Sequence, residues 1–229
     1  EGGLLVINDA LARGQVADGC VVGEPTSMKP VVAHKGGYFF HCRVHGRAAH
    51  SSLTPQGCNA IEHAARLICH IRDLADRWRA QGPYDEDFDV PHSTITTNVI
   101  SGGIAINTVP DLCSFNYDFR HLPGHDADGI QAEIRRYIDQ ELLPRMQREY
   151  DGARVELECG AAVAALNASE QAAITALVRA LTEDRGVRKV AYGTEAGQFA
   201  QAGIPAVLCG PGSIEQAHKA NEYVDVEQL

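Results

Sequence analysis

Apolar and polar positions along this chain follow two different periods. Leu4 to Ala12 is an apolar run leading into Arg13-Gly14, which predicts a helix stopped by a glycine. Asp18-Gly19 then precedes Cys20-Val21-Val22, a short buried strand ending at the polar turn Gly23-Glu24-Pro25-Thr26. A helix followed by a buried strand is half of an α/β unit, and ligand-binding residues gather at the carboxyl ends of such strands. From Val31 the period drops to two, with Tyr38, Phe40, Cys42 and Val44 on one face and Phe39, His41 and Arg43 on the other. It lengthens again where Ile61, Ala64, Ile68, Ile71, Ala75 and Trp78 recur at steps of three and four, a helix with one apolar stripe and Asn59 as its N-cap.

Gly82 to Pro91 reads as an acidic connection. Ser93 to Ile100 and Asp111 to Arg120 follow as strands around the turn Ser101-Gly102-Gly103. A second helix starts after Asp126, carries Ile130, Ile134, Tyr137 and Ile138 on one face, and should kink or end at Pro144. Ala153 to Cys159 is another alternating strand, so residues 34–159 read β-β-α-β-β-α-β, an α+β sandwich with its helices on one face. Past Gly160 the α/β character returns, with a helix after Ser169 carrying Ile174, Leu177 and Leu181, and strands near Val187–Tyr192 and Ala206–Cys209. The expected fold is α/β, with 34–159 inserted into a domain made of 1–33 and 160–229. That outer domain looks cut at both ends: Glu1 starts without the strands such a sheet needs, and Val226 to Leu229 stops at the first turn of a helix.

Composition sets the class. At 229 residues, 45 % hydrophobic and 22 % charged, the chain is an ordinary globular protein rather than a disordered one. A net charge of −10 without a basic stripe argues against nucleic-acid and membrane-surface partners. No apolar run reaches the roughly 20 residues of a spanning helix. Seven scattered cysteines without a C-x-x-C pair argue against a disulfide framework or a thiolate zinc site, and for a reducing, cytoplasmic setting.

The chemistry-bearing residues sit in Gly/Pro-rich loops. Glu24, at a strand end before Pro25, is either an acceptor that stabilises the turn or a metal ligand. His218 is either an exposed loop histidine or a ligand, and Cys209-Gly210-Pro211-Gly212-Ser213 suits a close backbone approach to a bound molecule. Taken in order, Val22-Gly23-Glu24-Pro25-Thr26-Ser27, Ala33-His34-Lys35-Gly36, Gly46-Arg47-Ala48-Ala49-His50-Ser51-Ser52 and Asn59-Ala60-Ile61-Glu62 resemble the dinuclear zinc aminoacylase and carboxypeptidase family. So do Asn107-Thr108-Val109-Pro110, Asp118-Phe119-Arg120-His121-Leu122-Pro123-Gly124, Tyr192-Gly193-Thr194-Glu195-Ala196 and the loop from Gly210 to His218. Within it, Ala33-His34-Lys35-Gly36 and Gly193-Thr194-Glu195-Ala196 favour the branch that deacetylates N-acetylornithine, in arginine biosynthesis, over the desuccinylase branch, whose segment reads Thr-Ser-Asp.

The resemblance implies a zinc-peptidase-like catalytic domain with an inserted lid or dimerisation domain, and two zinc ions, replaceable by cobalt. It implies a water activated between them that attacks an N-acyl amino acid. It makes Glu24 a terminal ligand of one zinc and His218 a ligand of the other. His50 would be the catalytic histidine that reaches a partner subunit's site to stabilise the oxyanion, in a homodimer formed through the inserted domain. Arg120 would clamp the substrate carboxylate, with Asn107, Glu195, Gly212 and Ser213 as further substrate contacts. The family's His-x-Asp segment, bridging Asp and Glu-Glu pair are not recognisable here. Glu1 is either the second glutamate of that pair or a chance first residue. The resemblance therefore implies that these residues alone neither hold two zincs nor hydrolyse the substrate. A non-catalytic dimerisation or amino-acid-binding homologue, or a related deacylase such as succinyl-diaminopimelate desuccinylase or aminoacylase, stands as the alternative.

Overall fold

The computed structural model of the chain describes residues 2–15 and 17–229. They form two compact units: one from the stretch up to Gly37 with Tyr84–Pro91 and Val163–Leu229, the other from Tyr38–Pro83 and His92–Ala162.

The second unit is a four-stranded sheet covered on one face by helices. Its strands run in the order Thr94–Gly102, Leu112–His121, Gly36–His45, Arg154–Val163. Thr94–Gly102 pairs antiparallel with Leu112–His121, with Thr94 opposite Arg120 and a register irregularity between Thr97 and Val99. Alternation decides which side is covered: Phe40, Cys42 and Val44 are buried together with Cys113, Phe115, Tyr117 and Phe119. The rings of Phe40 and Tyr117 stack at 5.0 Å, and those of Tyr38 and Phe119 at 5.1 Å.

The helix Ala60–Gln81 starts where Asn59 folds its side-chain oxygen back onto the amides of Ile61 (3.1 Å) and Glu62 (3.2 Å). This satisfies two of the first-turn donors that have no partner within the helix. Its buried face is Ala60, His63, Ala64, Leu67, Ile71, Leu74 and Trp78. The sheet therefore takes one flank of the expected stripe, leaving Ile61 exposed and Ile68 and Ala75 half-buried.

The helix Ala127–Tyr137, capped by the Asp126 carboxylate on the Gly129 amide (3.0 Å), does not end at Pro144. It widens into a π turn at Ile138–Leu142 and continues as Leu143–Glu149, with Pro144 in its first turn. A proline has no N–H to donate to the preceding turn, and a change of helical pitch removes that demand without breaking the rod.

In the first unit, Cys20–Val22 lies parallel to Ala206–Leu208, with Cys20 opposite Ala206 and Val22 opposite Leu208. A three-stranded sheet orders Lys189–Val190, Ala33–His34 and Leu166–Asn167. Val31, Leu166, Ala196, Ala206 and Leu208 form the core between them. The helix Gly2–Ala12 ends in a turn completed by Gly14 at φ 68°.

Two expectations change here. Cys20–Val22 is only partly covered, with Val21 47 % exposed, and among the described residues it pairs with Ala206–Leu208 alone. On the helix Ala173–Thr182 the core side is Thr175 and Val178, so Leu177 and Leu181 face outward. Tyr84–Pro91, read from the sequence as a connection, packs within this unit: Asp85 and Asp87 both grip the Lys189 ammonium (2.8 and 2.9 Å), and Phe88 is buried.

Candidate active site

Two loops at the carboxyl ends of the parallel strands Cys20–Val22 and Ala206–Leu208 are clasped together. Gly210 accepts from the amides of Thr26 (3.2 Å) and Met28 (2.9 Å), and its own N–H donates to the Thr26 hydroxyl (3.1 Å). The Ser27 amide donates to Gly212 O at 2.6 Å. A Cβ on Gly210 would lie 2.6 Å from the carbonyl oxygen of Glu24, so only glycine permits this approach. Ser27 and Met28 take left-handed conformations, at φ 55° and 58°, to close the loop.

This clasp fixes the backbone of Glu24, whose side chain is half-buried. Burial raises its carboxyl above the ordinary range, the Glu195 carboxylate raises it further, and the His218 imidazole acts in the opposite sense. Glu24, Glu195 and His218, widely separated in sequence, thus share one locus. Glu195 stands just before the helix Ala196–Gln201 and accepts the Gly3 amide at 2.9 Å. His218 is exposed, at φ 61°, with its backbone amide directed to the Glu222 carboxylate (3.3 Å).

Gly212 has φ 87°, and its amide donates to the Gln228 side chain (2.8 Å). Ser213 bridges to Thr26 across the clasp. A cleft of about 310 Å³ opens alongside, lined by Thr26, Ser27, Asp87, Asp89, Tyr192 and Ser213 among others. Tyr192 was not singled out from sequence. Its phenol is raised by burial and by Glu24, which puts it at the same locus; the only sequence signal was its place beside Gly193-Thr194-Glu195.

A carboxylate and an imidazole are donors that zinc uses, so Glu24 and His218 fit such an ion in kind. Among the described residues they do not gather a group of three donors. Glu1, the candidate third carboxylate, lies outside the described residues.

The remaining predicted residues belong to the other unit. His50 pairs with Thr108 across a short antiparallel ladder and caps the 3₁₀ turn Ser51–Gln56. Its Nδ1 accepts from the Ser52 amide (3.2 Å), so the neutral ring carries its proton on Nε2, a donor on an exposed side chain. Asn107 is tied to the same turn, its carbonyl accepting from the Ser51 amide at 2.9 Å. Arg120, next to last in the strand Leu112–His121, has Nε on Asp118 (3.1 Å) and its guanidinium 4.6 Å from the Phe39 ring centre, contacts that fix its plane. No helix among the described residues is long and apolar enough to cross a membrane.

Comparison with known proteins gives this geometry a context. Residues 32–146 match the peptidase dimerisation domain of the M20 group. The chain is 34 % identical over 211 residues to an acetylornithine deacetylase of Myxococcus xanthus, covering 91 % of this chain and 53 % of the relative. It is 32 % identical over 210 residues to one of Edwardsiella ictaluri, covering 92 % and 53 %. It thus spans about half the length of the curated relatives it matches. Among solved structures, an aminopeptidase PepT of Bacillus cereus superposes with a TM-score of 0.68 at 18 % identity, over 92 % of this chain and 53 % of that one. A tripeptidase of Staphylococcus aureus gives 0.60 at 18 % identity over the same shares. At that identity these two speak for the fold alone. The match to the dimerisation domain covers half of the residues, and the chain belongs to the M20 peptidase family.

Proposed function

We propose that the protein is a zinc-dependent amidohydrolase that removes the acetyl group from N-acetylornithine or a closely similar N-acyl amino acid, in arginine biosynthesis. The observation that carries this reading is the shared locus of Glu24, Glu195 and His218 at the ends of two parallel strands, in a chain whose curated relatives are named acetylornithine deacetylases. Glu24 and His218 hold the metal. A zinc ion held by these two side chains would supply Lewis-acid activation of a water and of the scissile carbonyl.

The other residues bind and orient. Arg120, its plane set by Asp118 and Phe39, clamps the substrate carboxylate. Asn107, Glu195, Gly212 and Ser213 contact the amino-acid portion. In a homodimer formed through the 32–146 domain, the partner subunit's His50 donates from Nε2 to the developing oxyanion. A cytoplasmic setting accords with seven free cysteines.

Glu24 and His218 supply two donors where a dinuclear site needs more, so the 229 residues by themselves neither retain two zincs nor release acetate. The test uses the protein expressed from its own gene, loaded with zinc and offered a panel of N-acyl amino acids. N-acetylornithine should be cleaved, and Glu24→Gln and His218→Ala should abolish turnover. Zinc-independent turnover, or turnover that survives both substitutions, would overturn the proposal; stoichiometric zinc and acetate release by the 229 residues alone would overturn only the statement that they do not suffice.

A further inference from the structure

The sheet-and-helix unit gathers three metal-binding side chains of different kinds. Cys58 Sγ, His63 and the Glu149 carboxylate each present a ligand atom within 4.8 Å of the other two. Cys58 immediately precedes the N-cap of the helix Ala60–Gln81, His63 lies in the first turn of that helix, and Glu149 is the last residue of Leu143–Glu149. Cys58 is fully buried and His63 nearly so, while Glu149 reaches solvent, so the cluster has buried walls and one open side.

We propose that Cys58, His63 and Glu149 form a site for one thiophilic divalent cation, zinc foremost, separate from the Glu24–His218 locus. The distances suit it. His63 Nε2 stands 3.0 Å from Glu149 Oε2. Zn–N and Zn–O bonds of ~2.0–2.1 Å and a Zn–S bond of ~2.3 Å place tetrahedral ligand atoms roughly 3.3–3.6 Å apart. A cation entering between them opens the His63–Glu149 contact by a few tenths of an ångström and draws Cys58 in. The charges also balance, since a thiolate and a carboxylate with a neutral imidazole match a divalent ion. The Cys58 proton leaves to solvent as the ion binds. Three protein ligands leave a fourth position for water on the Glu149 side.

The buried groups are otherwise poorly served. His63 Nδ1 has no hydrogen-bond partner, and the Cys58 thiol has only a long 3.8 Å contact to the Met146 carbonyl besides its approach to Glu149. A polar pair placed against a hydrophobic core is costly unless it is satisfied, and a cation held through His63 Nε2 would serve that nitrogen, the thiol and the carboxylate together, while Nδ1 keeps the ring proton.

Cobalt(II) titration of the metal-free 229-residue chain tests the site by its thiolate-to-cobalt charge-transfer band. The expected result is that band at one ion per chain, bleached when zinc displaces cobalt. Cys58→Ser should lose the band. His63→Gln and Glu149→Gln should weaken binding by at least about tenfold, and Glu24→Gln should leave it unchanged. The Glu149 side chain is about half exposed, at 47 %, so Glu149→Gln is expected to fold even if Cys58→Ser does not, and fluorescence of the single tryptophan, Trp78, reports folding of the same unit. Absence of the band in the unsubstituted chain would overturn the proposal. So would a band of unchanged affinity in Glu149→Gln and His63→Gln, which would assign it to the exposed thiols of Cys69 or Cys159.

Discussion

Gly46→Ala should destabilise the sheet-and-helix unit out of proportion to one added methyl group. Gly46 begins the segment that presents His50, and a Cβ built there would stand 2.0 Å from the carbonyl oxygen of Cys58 and 3.2 Å from the Ala60 amide nitrogen. Real Cβ contacts require at least 3.0 Å, so the two backbones must part by about 1 Å. They are joined there by a reciprocal pair of hydrogen bonds, Arg47 N–H to Cys58 O and Cys58 N–H to Arg47 O, both 2.9 Å. Stretching these by about 1 Å takes them beyond bonding range. Losing two such bonds while leaving Cys58 groups buried costs roughly 3–5 kcal/mol. For a unit of this size that corresponds to a fall in Tm of roughly 10–20 °C. Trp78 is the only tryptophan and is buried in this unit, so its fluorescence follows the relevant transition. Gly160→Ala is the matched control, because its added Cβ meets nothing closer than the Phe39 carbonyl at 3.8 Å. A Gly46→Ala melt within about 3 °C of the unsubstituted chain would show that the close approach is not what holds this segment.

Three further outcomes are expected. Asn59→Ala removes the acceptor for Ile61 N–H and Glu62 N–H and should cost about 1 kcal/mol in urea unfolding followed at Trp78, while Asn59→Asp keeps the acceptor but loses the Nδ2 bond to Glu62 Oε1 and should recover only part of that cost. Burial lowers the Lys35 ammonium from 10.5 to about 8, so the fold carries a penalty below pH 8, where Lys35 is charged in both states, and sheds it as pH rises toward 10.5. Hydrogen exchange of the Ala33–His34 amides should therefore report about 3 kcal/mol more protection at the alkaline end, and Lys35→Met should flatten this profile; an unsubstituted profile that is already flat would refute it. Finally, Ile104 and Ile106 are almost wholly exposed beside the edge strand Thr94–Gly102, where Val99 and Ile100 are also uncovered. If that edge forms the dimer, Ile104→Asp with Ile106→Asp forfeits roughly 3–6 kcal/mol of apolar burial per side, and sedimentation should shift from dimer to monomer at micromolar concentration. An unchanged dimer would place the interface elsewhere.

Features legible in the sequence were those set by near neighbours. The alternation from Tyr38 to Val44, the Asn59 and Asp126 caps and the glycine after Ala12 depend on residues a few positions apart, and each appears where the pattern puts it. Which flank of an apolar stripe faces the core depends on a sheet elsewhere in the chain. Ile61 was accordingly left outside while Leu67, Leu74 and a histidine, His63, were taken in. Leu177 and Leu181 fail in the same way, for periodicity reports that a helix has an apolar side and not that something covers it. The locus of Glu24, Glu195 and His218 shows the same limit at long range. Taken alone, Glu24 reads as a turn acceptor and His218 as a loop histidine, Glu195 enters only through the resemblance, and their convergence could be anticipated only through the ordered run of family-like segments. Cys58, His63 and Glu149 had no such run to announce them. A stripe built from apolar residues passes over His63, and the search for paired cysteines passes over Cys58. Their meeting with Glu149 depends on the π turn that carries the second helix past Pro144, where the sequence predicted a kink or an end. Chemistry assembled across two helices thus became visible only when the local departure from regular helix geometry was known, and that departure lies in the one segment where the proline rule was least specific.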